Sequence, residues 1–198
     1  MLKANINNAN ILKAREREYL VIELLQKHKY LTSKHLCNFI PWRYDVCTRT
    51  LLRMAASGEI KRWRSSKTSN YIYYLGKRTE NMNHWLLLAS TYCYLVKKYR
   101  IKHWETELQF SMIRPDGYTR DLNAFVEVDL ATNPFNKVPL YHRLYESDEW
   151  ITEETPKKEG AFWFPRIIVV TARKNALLKR MEQENQLGLD FVLLDKEI

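Results

Sequence analysis

RYDVCTRTLLRMAASGEIKRWRSSKTSNYIYYL, residues 43–75, decides how the N-terminal half is read. In its first part Cys47, Leu51 and Met54 recur at i, i+4 and i+7, which predicts one buried side of a helix over residues 43–56. Gly58 ends that helix. Ile60-Lys61-Arg62-Trp63-Arg64 then alternates as a strand does, residues 65–70 form a polar turn, and Tyr71-Ile72-Tyr73-Tyr74-Leu75 returns as a second strand.

Upstream, residues 15–27 place Tyr19, Ile22 and Leu25 near one helical face, widened by Leu20, Val21 and Leu24. Residues 31–33 open a second helix, with Thr32 or Ser33 as N-cap and Leu36, Cys37 and Ile40 as its apolar positions. Pro41 stops it, since proline lacks an amide donor and restricts the residue before it. Three helices and a hairpin with a basic tip make a winged helix-turn-helix over residues 15–78, preceded by an asparagine-rich flexible arm at 1–14.

Charge points the same way. Residues 1–78 hold sixteen Lys and Arg against five Asp and Glu, a net of +11, whereas residues 79–198 carry a net of −2. A basic excess confined to one domain is the footprint of a polyanion partner, and double-stranded DNA is the expected one. A helix fits the major groove, where its exposed side chains reach base edges; here those are Arg43, Tyr44, Thr48, Arg49 and Arg53. Arg62, Arg64 and Lys67 of the wing would meet phosphates, which fix position but not sequence. A winged helix that binds protein instead, as in a replisome adaptor, is the competing expectation.

Composition narrows the class. With 198 residues and 45% hydrophobic content, the chain can build one large or two small cores. No apolar run approaches the ~18 residues a membrane span needs, and no basic-then-apolar leader is evident. Cys37, Cys47 and Cys93 form no CxxC pair and read as buried free thiols in a reducing, cytoplasmic setting. His28, His35, Cys37 and Cys47 match no zinc-finger spacing. Neither a Gly-rich phosphate loop nor a Gly-x-Ser-x-Gly motif occurs, which argues against nucleotide-dependent and serine-hydrolase chemistry.

After residue 79 the pattern becomes α/β. Helices are predicted over 84–99, 137–146 and 175–186, and strands over 106–110, 124–130, 166–171 and 189–194. Pro115-Asp116-Gly117 reads as a turn, residues 146–160 as an exposed acidic loop, and Phe162-Trp163-Phe164 as an aromatic cluster that packs in the core or, as the alternative, forms a partner or dimer surface. The order predicts an α/β sandwich with a mixed sheet, and the whole chain is α+β. Asp116 at one strand edge, with Glu127 and Asp129 inside the next strand, can converge on a hard cation such as Mg²⁺. Equally, Glu127 and Asp129 share one face of an alternating strand and can simply mark its solvent side.

Pro115-Asp116 followed by Glu127-Val128-Asp129 resembles the PD-(D/E)xK nuclease-like superfamily, with Asp129 standing where the superfamily has its lysine. Lys137, on the following helix, can take over that role. The full arrangement resembles the replication-relaxation family of plasmids and other mobile elements. The resemblance rests on the winged-helix block, His84, Pro115-Asp116, residues 125–132, and Lys137 with Tyr141 and Tyr145. It implies DNA binding in plasmid, phage or mobile-element replication, relaxation or transcriptional control. It also implies a nuclease-like second domain with Asp116, Glu127, Asp129 and Lys137 as catalytic positions and Asp116 and Glu127 as metal ligands. The displaced lysine favours a DNA-binding protein with a degenerate nuclease-like domain, serving dimerisation or contact with replication or conjugation proteins. A Mg²⁺-dependent DNA endonuclease or nickase is the alternative.

Overall fold

The computed structural model describes residues 14–132, 135–151, 157–158 and 161–197, so most of the expected N-terminal arm lies outside the described residues. Among them the chain is α+β with six α-helices. Packing divides it into two compact units, Met1–Cys93 and Tyr94–Ile198.

The first unit runs α1 (Ala14–His28), β1 (Tyr30–Thr32), α2 (Ser33–Phe39), α3 (Tyr44–Ala56), β2 (Lys61–Trp63) and β3 (Ile72–Tyr74), and takes in the start of α4 (Met82–Tyr99). The strands form an antiparallel sheet in the order β1-β3-β2. The expected hairpin is β2 with β3, and it gains a third strand: Tyr30–Thr32, too short to show a period, pairs with Ile72–Tyr74. Thr32 caps α2 through a reciprocal capping box, its hydroxyl accepting from the His35 amide at 3.2 Å while its own amide donates to His35 Nδ1 at 3.3 Å. Gly58, at φ 82°, lets the chain turn back after α3 in a conformation a side chain would strain.

Cys47, Leu51 and Met54 are fully buried, as their spacing predicts, beside Val21, Leu25, Leu36 and Tyr73. On α1 the buried stripe is Val21, Leu25 and His28, while Tyr19 is 69% exposed. The buried face is rotated from the expected Tyr19-Ile22-Leu25 side because His28, polar by type, is a core residue. Its ring stacks on Phe39 at 4.9 Å and on Tyr92 at 5.4 Å. Residues of early α4 belong to this packing: Ala89 joins the core, and His35 Nε2 meets Ser90 Oγ at 3.0 Å. The change in composition at residue 79 thus comes ahead of the structural division.

The second unit contains the end of α4, β4 (Glu105–Thr106), β5 (Gly117–Thr119), β6 (Ala124–Asp129), α5 (Val138–Ser147), β7 (Lys157–Lys158), β8 (Ala161–Phe162), β9 (Arg166–Thr171), α6 (Lys174–Glu184) and β10 (Phe191–Asp195). A mixed five-stranded sheet runs β10-β9-β6-β5-β4, with β10, β9 and β6 parallel and the last three antiparallel. This is consistent with an α/β sandwich. Leu144 and Tyr141 of α5 and Leu177 and Met181 of α6 share a core with Phe125, Ile167, Val169 and Leu193 of the sheet.

Three expectations need correction here. The strand at 106–110 shrinks to Glu105–Thr106, because Glu107 takes a left-handed φ of 57° and breaks the ladder. Gly117 opens β5 rather than closing a turn. A Cβ there would lie 2.6 Å from the Trp104 ring, so glycine is required by close approach. Within the aromatic cluster, Phe164 is buried but Phe162 and Trp163 are 40% and 44% exposed. The part of the acidic loop at 152–156 and 159–160 lies outside the described residues.

The histidines of the first unit generate a pH prediction. Burial, then Lys27 and His35, lower His28 from 6.5 to about 3; burial, then Lys34, lowers His35 to about 4. Both rings are neutral in the fold and gain a proton on unfolding. Their contribution is therefore intact above about pH 6.5 and is lost as pH falls toward 4, by up to about 1.4 kcal/mol per unit for each. His28→Phe keeps the stack and is expected to remove part of this loss. A melting-temperature series against pH that the substitution leaves unchanged would contradict the assignment.

Candidate functional site

The first unit presents a basic face. Arg43 is the N-cap of α3, its side chain 83% exposed; Tyr44 follows at 59% exposed, and the Arg49 side chain is 75% exposed. The buried spacing of Cys47, Leu51 and Met54 turns this opposite side of the helix outward. Thr48 is half-buried, and its hydroxyl donates to the Tyr44 and Asp45 carbonyls, both at 3.1 Å. Arg53 pairs with Glu18 of α1. In the hairpin the guanidiniums of Arg62 and Arg64 lie over the Tyr71 ring at 4.6 and 4.7 Å, and Arg64 Nη1 donates to the Lys67 carbonyl at 3.1 Å. Arg78 covers Trp63 at 4.7 Å. Tyr71, Trp63 and Asp45 escaped the sequence reading, because which cation an aromatic or a carboxylate meets is set by strand register and helix phase.

The second unit contains the carboxylates. All six residues of β6 are buried, so neither Glu127 nor Asp129 marks a solvent face. Between β5 and β9, this strand is central in the sheet. Register places Glu127 opposite Val169 and Asp129 opposite Thr171 on the face that α5 and α6 cover.

Glu127 is compensated from α5. Its Oε2 accepts from Lys137 Nζ, and its Oε1 accepts from the Tyr141 hydroxyl at 2.7 Å. Lys137 is the N-cap of α5, so it and Tyr141, one turn on, project to the same strand position. Asp116 joins them: Lys137 Nζ lies 4.0 Å from its Oδ1, and its Oδ2 accepts from the Val128 amide at 2.7 Å. Burial, then the Asp116 charge, push the Glu127 carboxyl up to about 8, against the opposing pull of Lys137 and Tyr141. Burial and the adjacent Glu127 raise Tyr141 as well.

Asp129 is engaged elsewhere. Its Oδ2 accepts from Thr171 Oγ1 at 2.7 Å and Arg173 Nε at 2.8 Å, and its Oδ1 accepts from Arg173 Nη2 at 2.9 Å and the Ala131 amide at 3.0 Å. Burial alone would raise its carboxyl, but these donors outweigh burial and hold it below the ordinary carboxylate range. The expected three-carboxylate convergence does not form. Asp116, Glu127 and Lys137 come together with Tyr141, while Asp129 belongs to a separate ion pair. No sequence signal pairs Asp129 with Arg173, since the contact depends on strand register 44 positions apart.

This donor set fits a divalent ion poorly. Both Glu127 oxygens are already taken, one by an ammonium, and Asp116 supplies the remaining carboxylate. Among the described residues no group of three or more His, Cys, Asp or Glu side chains is placed to hold a metal. His28, His35 and Cys47 are occupied by stacking, by the capping box and by the Ser33 carbonyl respectively. Also among the described residues, no helix is long and apolar enough to cross a membrane. Comparison with protein-family models, curated proteins and solved structures finds no match to this chain.

Arg173→Ala would leave the buried Asp129 without its cation, with only the Thr171 hydroxyl and the Ala131 amide as donors. The expected loss is about 2–3 kcal/mol, toward the low side for a buried pair because the Arg173 side chain is 29% exposed. Adding Asp129→Ala should recover part of it, as read by denaturant titration. Full additivity of the two substitutions would contradict the pairing.

Proposed function

We propose that this chain is a double-stranded-DNA-binding protein of the replication-relaxation type. In this reading its first unit is a winged helix-turn-helix, and its second is a degenerate nuclease-like domain for dimerisation or for contact with replication or conjugation proteins. The process served is replication, relaxation or transcriptional control of a plasmid, phage or other mobile element, in the cytoplasm. The observation that carries the reading is the outward basic face of α3 and the hairpin, in a segment whose net charge is +11.

The physical argument is direct. Arg49 stands free of the core on a helix slim enough for the major groove. Arg62 and Arg64, stacked on Tyr71, lose less side-chain freedom on meeting phosphate than unsupported arginines would. Ionic capture by the hairpin and base reading by the helix are separable functions.

A second reading, a metal-dependent DNA endonuclease, is favoured by one observation: Lys137 reaches Glu127 beside Asp116 from the following helix, the place a displaced catalytic lysine would occupy. The first reading is preferred because Glu127 is 1% exposed and its oxygens are occupied.

Arg49→Ala is expected to weaken specific binding by about 1–3 kcal/mol. Arg64→Ala should instead weaken binding to every duplex alike. Gel shifts with matched and unmatched duplexes separate the two, and identical behaviour of both variants would refute the division of labour. In a supercoiled-plasmid assay with Mn²⁺, the wild type should nick no faster than Glu127→Ala; robust nicking lost in that variant would promote the endonuclease reading.

A further inference from the structure

Two of the three arginines on the exposed side of α3 converge on one carboxylate. Arg43 donates to Asp45 through Nε at 3.0 Å and Nη2 at 3.4 Å, one to each oxygen. Arg49 donates to the same carboxylate through Nη2 at 3.1 Å and to the Asp45 carbonyl through Nε at 3.3 Å. The side chains remain 83%, 75% and 49% exposed, so these pairs contribute little to stability. What they fix is direction.

A guanidinium has five donors in a planar fork. With Nε and one Nη2 hydrogen spent on Asp45, each arginine keeps its end-on edge, formed by Nη1 and the second Nη2 hydrogen. Two parallel donors suit the pair of acceptors, O6 and N7, that guanine shows in the major groove. Adenine shows one acceptor and an amino donor there, which opposes the fork. Thr48 does not compete, because its hydroxyl is spent on the Tyr44 and Asp45 carbonyls. A carboxylate in the middle of a phosphate-seeking face costs non-specific affinity, so its presence calls for a compensating role.

We propose that Asp45 is a positioning residue that holds Arg43 and Arg49 for bidentate reading of guanine, making the partner a duplex with guanine in its recognised major-groove site. The inference rests on the DNA-binding reading above. Asp45 raises specificity and lowers general affinity: it restrains two otherwise mobile forks and repels the backbone.

The test is selection of the full chain on randomised duplexes, followed by titration of selected and unselected duplex with wild type, Asp45→Ala and Asp45→Asn. Wild type should enrich guanine, and 7-deazaguanine at the enriched position should weaken its binding. Asp45→Ala should bind unselected duplex at least as tightly as wild type while its preference for the selected duplex shrinks about 5- to 150-fold. Asp45→Asn, which keeps an acceptor without the charge, should fall between them. An undiminished preference in Asp45→Ala would overturn the proposal. So would a parallel loss of affinity for both duplexes, which is what a carboxylate that merely stabilises the first turn of α3 would give. Wild-type binding without guanine enrichment overturns this inference alone, whereas no wild-type binding to either pool overturns the DNA-binding reading with it.

Discussion

Two carboxylates on the central strand β6 are withdrawn from water, and much of the second unit is arranged around their compensation. An ionised carboxylate in a low-dielectric interior is costly unless donors surround it. Glu127 receives Lys137 and Tyr141 from α5, and Asp129 receives Arg173 and Thr171 from the end of β9 and the residues after it. These contacts tie α5, the start of α6 and two parallel strands to defined positions. Hydrophobic packing of Phe125, Ile167 and Leu177 and these polar contacts specify the same register.

That architecture bears on function through occupancy. Lys137 sits where a cation would otherwise be needed, between Asp116 and Glu127. Burial, and after it the Asp116 charge, push the Glu127 carboxyl up, and the single Lys137 ammonium shared between the two carboxylates only partly offsets them. The Glu127 carboxylate is met by donors from within the second unit. The first unit is the reverse. Its charges are outward and only partly paired, with Asp45 and Glu18 the acidic partners seen on or beside α3.

Much of this was legible in the sequence. The i, i+4, i+7 spacing of Cys47, Leu51 and Met54 fixed the buried side of α3 and so its outward arginines. The apolar run 166–171 coincided with β9 to the residue. The place of Lys137 just after β6, where α5 begins, already marks it in the sequence as the substitute for the missing lysine, and it reaches Glu127. What escaped was whatever depends on tertiary register. β1 is three residues long and becomes a strand only because β3 lies beside it. Glu127 and Asp129 look alike by alternation, yet opposite neighbours send one to α5 and the other to Arg173. His28 is polar by type but buried by stacking between two rings.

The central claim is that the outward basic face meets the DNA backbone, and ionic strength tests it most directly. Binding of the full chain to duplex DNA, followed by fluorescence anisotropy across a salt series, reads the number of phosphates neutralised, at a slope of roughly −0.9 per phosphate in a plot of log affinity against log salt. The account predicts tight binding at low salt and a slope steeper than about −3, as α3 and the hairpin engage several phosphates together. A flat response, or no binding at low salt, would contradict it.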